Sequence, residues 1–215
     1  MKSLTAIVVS IKRAFASVSG LGIQFDAVKI NQGSILAELH ARKQSTNLRD
    51  YEFKVFSQWG EDGILQHLVN AVEIKEKTFI EFGVEDFYES SCRFLLMKDN
   101  WRGFVIDGSA SNIERLKSSY FYWKHELTAI CAFITRESIN DLLAQSGFSE
   151  DLGILAVDLD GNDFYILDAV RFFRPRILIC EFNAVFGTRK ITVPCTMLRS
   201  RGRRSIIPTY TGALH

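Results

Sequence analysis

The order of apolar and polar positions divides the chain into a helical N-terminal part and a longer part of alternating strands and helices. From residue 78 onward, five short apolar runs alternate with segments of helical length. The predicted strands cover residues 78–82, 103–107, 127–134, 153–158 and 176–182. The predicted helices cover residues 89–97, 111–118, 138–145 and 163–172. This alternation predicts a parallel sheet with right-handed crossovers, and therefore an α/β fold.

The first 50 residues precede this alternation and are predicted to form a helical extension. Its apolar positions on one helical face are Leu4, Ile7, Val8, Ile11, Phe15 and Val18. A further helix is predicted over 34–43. The apolar face can dock on the domain, pair with another subunit or lie on a membrane surface, and packing is favoured over membrane contact. The predicted organisation is an extension (1–50), an α/β domain (51–194) and an irregular tail (195–215).

Composition and charge exclude several classes of protein. The chain has 26 basic and 25 acidic residues, so no bulk field favours binding to nucleic acid. Its four cysteines lack metal-site spacing, which predicts reduced thiols. There is no run of 18 apolar residues to cross a membrane, and Lys12 and Arg13 interrupt the apolar region that a secretion signal would need. The expected location is the cytoplasm, with a peripheral position at the inner membrane face as an alternative.

Four of the five predicted strands end in an acid or an amide. These strand ends carry Glu81 and Gly83, then Asp107, Gly108 and Ser109, then Asp158 and Asp160, and finally Glu181 and Asn183. The carboxyl ends of parallel strands meet at one edge of a sheet, where ligands bind in open α/β folds. The sequence therefore predicts a binding site at this edge.

The turn after the first strand favours a cationic ligand. Gly83 allows close approach of the backbone, whereas Glu85 and Phe87 stand where a dinucleotide site would have further glycines. Acids at this turn repel a pyrophosphate and suit a ligand such as S-adenosylmethionine. Asp107, 26 residues after Glu81, is placed to accept ribose hydroxyls. The alternatives are an ordinary strand-end turn at Gly83 and an Asx turn or helix N-cap at Asp107.

Two further segments have open interpretations. The stretch 158–163 contains three carboxylates, which could orient a substrate, bind a divalent cation together with Glu181 and Asn183, or cap the following helix. The stretch 57–62 precedes the first strand and contains Trp59. It could fold over the edge of the sheet as a pocket wall, or it could simply begin a helix with acids that complement the helix dipole.

Five sequence blocks resemble, in order, the FkbM-like class of S-adenosylmethionine-dependent methyltransferases, and within it a subgroup found among bacterial surface-polysaccharide genes. The blocks are FKVFSQWGEDGIL (53–65), TFIEFGVEDFYESSCRFLL (78–96), NWRGFVIDGS (100–109), LAVDLDGND (155–163) and ICEFNAVFG (179–187). The resemblance covers about residues 30–194. It implies a Rossmann-like class I methyltransferase fold, with helices on both faces of a mostly parallel sheet, and O-methylation of a sugar or related hydroxyl.

The resemblance also assigns roles to residues. It places Glu81, Gly83 and Asp107 at cofactor positions with Asp158 facing the methyl donor. We extend the predicted cofactor site to Glu85, Gly108 and Ser109, on the same turns. The predicted acceptor-binding and catalytic residues are Asp158, Asp160, Glu181 and Asn183, one carboxylate acting as general base. The glycine-rich loop of the wider superfamily is degenerate in this chain.

Several alternatives stay open. A non-catalytic pseudoenzyme or interaction module could keep this fold without turnover. A metal-dependent methyltransferase is a second alternative, although a divalent metal is not favoured and no residue is assigned as a ligand. A nicotinamide enzyme is less favoured, because Glu85 and Phe87 occupy glycine positions. The expected partner is a small-molecule or glycan acceptor, and the chain could also form a homo-oligomer.

The sequence departs from the family pattern after Pro194. The segment 195–215 is rich in arginine and lacks strand periodicity, where the family would supply two further strands as a hairpin. Codons that specify residues 206–213 can, when read one base earlier, encode the missing family motif. We therefore hypothesise a one-base frameshift near Pro194, which the nucleotide sequence of the gene would test. The C-terminal hairpin is accordingly expected to be missing, leaving the fifth strand with an unpaired edge.

Overall fold

The computed structural model describes residues 4–159 and 161–181, except for the side chains of residues 4–19. The helices are α1 (Leu4–Ala41), α2 (Glu61–Ala71), α3 (Arg93–Asp99), α4 (Ala110–Ser118), α5 (Tyr120–Lys124), α6 (Ile139–Ala144) and α7 (Asp163–Ala169), with a short 3-10 helix at Leu48–Tyr51. The strands are β1 (Thr78–Phe82), β2 (Arg102–Asp107), β3 (Leu127–Cys131), β4 (Ile154–Val157) and β5 (Ile177–Cys180).

The five strands form one parallel sheet in the order β3-β2-β1-β4-β5. The chain first builds β1, β2 and β3 outward in one direction, and then returns past β1 to place β4 and β5 on the other side. The prediction of an α/β fold is therefore confirmed, and the strand order is that of a Rossmann-like fold. The reversal of direction leaves a crevice between the carboxyl ends of β1 and β4.

Alternation of side chains along the strands gives the sheet an apolar core on each face. Phe79 and Val105 belong to a cluster with residues of α2, α3, α4 and α5. Ile80 and Phe104, one position along each strand, belong to a second cluster with residues of α6 and α7. Helices thus cover both faces of the sheet, which explains why the central strands carry apolar side chains on both faces.

The N-terminal extension is one continuous helix of 38 residues rather than the shorter pieces that the sequence predicted. It is attached to the domain by an ion pair in which Arg93 Nη2 lies 2.5 Å from Asp26 Oδ2. The Tyr120 hydroxyl donates to the same carboxylate oxygen at 2.7 Å. Further along, a Cβ on Gly33 would lie only 2.5 Å from a methyl group of Val55. This close approach explains how a glycine is accommodated within the helix, since packing outweighs its low propensity.

Among the described helices, α1 included, none has an apolar stretch long enough to cross a bilayer. The described cysteines, Cys92, Cys131 and Cys180, are free thiols. The predicted tail 195–215, the hypothesised frameshift and the hairpin expected to be missing all lie outside the described residues.

Candidate functional site

A cavity of about 480 Å³ opens at the carboxyl ends of β1, β4 and β5. It lies at the point where the strand order reverses, which is where open α/β sheets bind their ligands. Its volume falls within the roughly 300–1,000 Å³ typical of small-molecule sites. The lining residues are Gln58, Trp59, Glu61, Glu81, Phe82, Gly83, Val84, Glu85, Glu89, Ser90, Ser91, Ala156, Val157, Asp158, Ile179, Cys180 and Glu181.

The lining is acidic. Six of the residues just named carry carboxylates, and these described lining residues include no lysine, arginine or histidine. Glu89 is paired at the margin with Lys54, whose Nζ lies 3.3 Å from Glu89 Oε1. The cavity is therefore suited to a cationic or neutral ligand, and it disfavours a phosphate or pyrophosphate group.

Glu81 ties the end of β1 to the start of α3. Its carboxylate accepts hydrogen bonds from the Ser90 hydroxyl (2.8 Å), the Ser91 amide (3.0 Å) and the Cys92 amide (3.3 Å). Burial raises the pKa of Glu81, and these hydrogen bonds oppose the rise. The same contacts explain why the helix predicted over 89–97 begins instead at Arg93, since Glu81 holds the preceding backbone outside the helix.

The backbone between β1 and α3 is held in an unusual conformation. Gly83, Glu85 and Phe87 have φ values of 69°, 49° and 64°. The glutamate and the phenylalanine therefore adopt the left-handed conformation that normally favours glycine, at an energetic cost. Phe87 is fully buried and stacks on Phe79 at a centroid distance of 6.2 Å, which stabilises the turn. The two positions that lack the expected glycines thus keep a glycine-like backbone.

At Gly83 the turn after β1 lies against the end of β4. A Cβ built on Gly83 would lie 1.9 Å from the carbonyl oxygen of Asp158, far inside van der Waals contact. Its amide donates to the Ile106 carbonyl at 3.0 Å. The β1 turn is therefore wedged between β2 and the end of β4, and any side chain at this position would push it out.

Asp107 connects two turns. Its Oδ2 accepts from the Glu85 amide at 2.9 Å, and its Oδ1 accepts from the Ser109 amide at 2.7 Å and the Asn112 side-chain amide at 3.3 Å. The contact with Ser109 is the Asx turn that the sequence left as an alternative. Ser109 is the N-cap of α4, accepting from the Asn112 amide at 3.4 Å. Asp107, Gly108 and Ser109 do not belong to the cavity lining described above.

The end of β4 supplies one cavity residue and one structural residue. Asp158 is exposed and lines the cavity. Asp163 is buried, and its carboxylate accepts from the Leu159 amide at 2.9 Å and the Gly161 amide at 3.0 Å. Asp163 therefore closes the turn that leads into α7. Asp160 lies outside the described residues.

At the end of β5, Glu181 lines the cavity and its amide donates to the Val157 carbonyl at 3.3 Å. Asn183 lies outside the described residues. No group of three or more His, Cys, Asp or Glu side chains in the described part of the chain is arranged to hold a metal ion.

The segment before α2 forms the outer wall of the cavity. Trp59, 79% exposed, lines the cavity beside Gln58 and Glu61. Glu61 Oε2 accepts from the Trp59 amide at 3.0 Å and the Gly60 amide at 2.9 Å. Burial favours a higher pKa for Glu61, but these backbone hydrogen bonds outweigh it and lower the pKa.

Sequence reasoning missed the residue that holds this wall in place. Asp62 Oδ2 accepts from the backbone amides of Val55, Phe56 and Ser57 at 2.7 to 2.8 Å, and from the Ser57 hydroxyl at 2.8 Å. Burial raises the pKa of Asp62 despite these donors. An acid in the first turn of a predicted helix indicates an interaction with the helix dipole. It does not indicate hydrogen bonds to backbone amides five to seven positions earlier in the chain.

Ser90 and Ser91 were also missed as site residues. Both line the cavity and both donate to Glu81. The sequence signal is a serine pair nine and ten residues after a strand-end acid, and the helical pattern of 89–97 hides it.

No protein-family model matches this sequence, and no curated protein is significantly similar to it.

Proposed function

We propose that the chain is an S-adenosylmethionine-dependent methyltransferase that acts on a hydroxyl group of a sugar or related acceptor. The observation that carries this proposal is the acidic cavity at the reversal point of the sheet, whose described lining has six carboxylates and no cationic side chain. Such a lining favours a sulfonium ligand over a dinucleotide. The resemblance of the five sequence blocks supports the same assignment.

The residues around the cavity fit a donor of this kind. Gly83 brings bare backbone to the edge of the sheet, beside the exposed carboxylates of Glu85 and Asp158. Trp59 offers an aromatic surface at the outer wall. In this assignment the turn after β1 holds the donor, and Asp107 supports that turn through its hydrogen bond to the Glu85 amide.

The chemistry required of the protein is modest. A bound sulfonium donor supplies an electrophilic methyl group. Asp158 and Glu181, at the ends of β4 and β5, orient the acceptor hydroxyl, and one of the two carboxylates takes its proton as the oxygen is methylated. Most of the rate enhancement would come from holding the hydroxyl in line with the methyl group. Asp160 and Asn183 keep their predicted roles in acceptor binding.

Isothermal titration calorimetry of the full chain tests the proposal. S-adenosylmethionine should bind at a single site, whereas NAD⁺ should give no binding heat because its pyrophosphate meets the acidic lining. Asp158→Asn should weaken binding of S-adenosylmethionine. Asp141→Asn, which changes an exposed acid on α6 outside this cavity, should leave it unchanged.

Each other outcome is informative. Folded protein that does not bind S-adenosylmethionine would favour a non-catalytic module on the same fold. Binding of NAD⁺ instead would favour a nicotinamide enzyme. Activity that EDTA abolishes and Mg²⁺ restores would show a metal-dependent methyltransferase.

A further inference from the structure

Helix α1 contacts the domain through one face only. On that face Asp26 pairs with Arg93, Gly33 packs against Val55, and Ala37 is buried. On the same face, near the C-terminal end of the helix, His40 Nδ1 lies 3.1 Å from the Tyr51 carbonyl oxygen. These positions follow one another at intervals of three, four or seven residues, as expected for one side of a helix.

A second apolar stripe on α1 faces away from the domain. Its described members are 50–66% exposed, namely Leu21 (50%), Phe25 (66%), Val28 (63%), Ile35 (61%) and Leu39 (55%). With about 100° per residue, this stripe is rotated by roughly 140° from the face that contacts the domain. The domain therefore leaves it uncovered.

The spacing of this stripe is that of a heptad repeat. Its members alternate at steps of four and three residues, with the exposed Gln32 in the one polar position between Val28 and Ile35. In the sequence the same register continues upstream without interruption through Leu4, Ile7, Ile11, Ala14 and Val18. Apolar residues at alternating steps of three and four over this length indicate a coiled-coil seam rather than the broader face of a helix that lies against a globular core.

We propose that α1 pairs with α1 of a second copy of this chain in a parallel, in-register coiled coil. Among the described helices α1 has 38 residues and the next longest, α2, has 11, so the matching seam within this chain is α1 itself. In a parallel pair Gln32 meets Gln32 of the second copy, where the two side-chain amides can bond to each other. A single polar residue at such a position sets the register of a coiled coil.

The geometry and the area suit a symmetric dimer. The domain occupies the outer face of α1, so two domains would lie on opposite sides of the paired helices without blocking the seam. The seam has ten apolar positions per chain, five of them described in the structure and five assigned from the sequence register alone. At roughly 60–100 Å² for each position, a pair would bury about 1,200–2,000 Å² in total, which is the size of a stable interface. Most polar residues that flank the seam are uncharged, namely Ser10, Ser17, Gln24 and Asn31. The charged flanking residues are Lys29 and Glu38, and in a parallel pair Lys29 lies opposite Gln24 and Glu38 opposite Lys43 of the second copy, so like charges do not meet.

Sedimentation equilibrium of the full chain tests this interface. The wild-type protein should have twice the monomer mass of 24.5 kDa. The double substitution V28E/I35E should raise the dimer dissociation constant by at least about 100-fold, because it places four charges in the seam. Ala27→Glu is the matched control, since it adds a charge at an exposed position beside Val28 but outside the seam, and it should remain dimeric.

A disulfide trap reports the register independently of V28E/I35E. In a background with Cys131, Cys180 and Cys195 replaced by serine, oxidised Gln32→Cys should give a covalent dimer and Ala27→Cys should not. A monomeric wild-type protein, a V28E/I35E protein that stays dimeric, or equal cross-linking at both positions would overturn the interface.

Flotation with vesicles of phosphatidylcholine and phosphatidylglycerol tests the competing occupant of the stripe. The wild-type protein should not float with the vesicles. Flotation that V28E/I35E abolishes would overturn the dimer in favour of a membrane surface. This interface is independent of the proposed methyl transfer, so either can fail without the other.

Discussion

The turns after β1 and β2 have similar sequences and different structures. Each contains a strand-end acid and a glycine, Glu81 with Gly83 and Asp107 with Gly108. After β1 the glycine has a left-handed backbone and no room for a side chain. After β2, a Cβ on Gly108 would be 3.4 Å from the ring of Phe133, which is 72% exposed and can give way.

The two acids also differ, both in whether they line the cavity and in which turn they hold. Glu81 lines the cavity and fixes its own turn through three hydrogen bonds. Asp107 does not line the cavity and reaches across to the turn of its neighbour through the Glu85 amide. An acid at the end of a strand therefore does not define its own role. The neighbouring strand and the backbone conformation decide whether it builds the cavity directly or supports it from the side.

The largest expected effect separates the two glycines. Gly83→Ala should lower the free energy of unfolding by about 3 kcal/mol or more, because the new Cβ meets the Asp158 carbonyl and the backbone conformation is strained. Gly108→Ala should change it by less than about 0.5 kcal/mol. Urea denaturation of both variants measures the difference.

Gly147 separates crowding from backbone strain. It has a φ of 66°, close to that of Gly83, but a Cβ there would meet nothing within 4 Å. Gly147→Ala should therefore cost only about 1 kcal/mol. If Gly83→Ala lowers the free energy of unfolding by no more than Gly147→Ala does, the close contact between Gly83 and the Asp158 carbonyl does not destabilise the variant.

The next effect tests whether Asp107 reaches the ligand. Asp107→Asn should weaken binding of S-adenosylmethionine by about 10- to 100-fold, equivalent to about 1.4–2.7 kcal/mol, since it disturbs the Glu85 turn and removes a predicted ribose acceptor. Calorimetric titration measures this change. Asn112→Ala removes a single donor to Asp107 and should weaken binding by less than about 3-fold. Unchanged affinity in Asp107→Asn would show that neither a ribose contact of Asp107 nor its hydrogen bond to the Glu85 turn contributes to binding.

Glu81 should make its own contribution to the pH dependence of stability. Burial raises its pKa above the ordinary value of 4.5, so above pH 4.5 the folded protein keeps a proton that the unfolded chain has released. Stability from this group is therefore lost as the pH rises from 4.5 to the folded pKa, and is constant above it. Chemical denaturation of the wild type and Glu81→Gln across this range measures the effect: the stability of the wild type relative to Glu81→Gln should fall as the pH rises above 4.5 and then level off.

Ser90→Ala sharpens that measurement. The Ser90 hydroxyl stabilises the charged form of Glu81, so its removal should raise the Glu81 pKa further and extend the decline to higher pH. Asp62 also has a raised pKa, but it is present in all these proteins and cancels in the difference. A wild-type curve parallel to that of Glu81→Gln would show that Glu81 titrates alike in the folded and unfolded states.

The smallest expected effect concerns the outer wall. Trp59→Ala should leave the free energy of unfolding within about 0.5 kcal/mol, because the side chain is 79% exposed, while weakening donor binding several-fold. Trp123→Ala is the matched control, since Trp123 is 77% exposed and lies on α5 outside this cavity. Denaturation and calorimetry on both variants measure the two quantities. Equal affinities would remove Trp59 from the binding wall.

The sheet could be predicted because each strand is a short apolar run bounded by polar or glycine residues. The start of α3 could not, since the residues from Glu89 onward have a helical pattern that a carboxylate on β1 overrides. The attachment of α1 depends on Asp26 and Arg93, which are 67 positions apart and have no local signal. The acids of the candidate site could be placed at the edge of the sheet, but not sorted into Glu81, which lines the cavity, and Asp107, which does not.

The pairing of β1 with β4 has a consequence for how the chain is made. Phe79 is aligned with Ile154, so β1 can pair with β4 only after some 75 further residues have been synthesised. Until then β1 can pair only with β2, and its free side is exposed to the ribosome surface and to other chains. The cavity forms later still, when Gly83 lies against the end of β4 and β5 has paired with β4. A nascent chain therefore acquires this cavity after most of its core, and any ligand bound there during synthesis would stabilise the last docking step rather than the first.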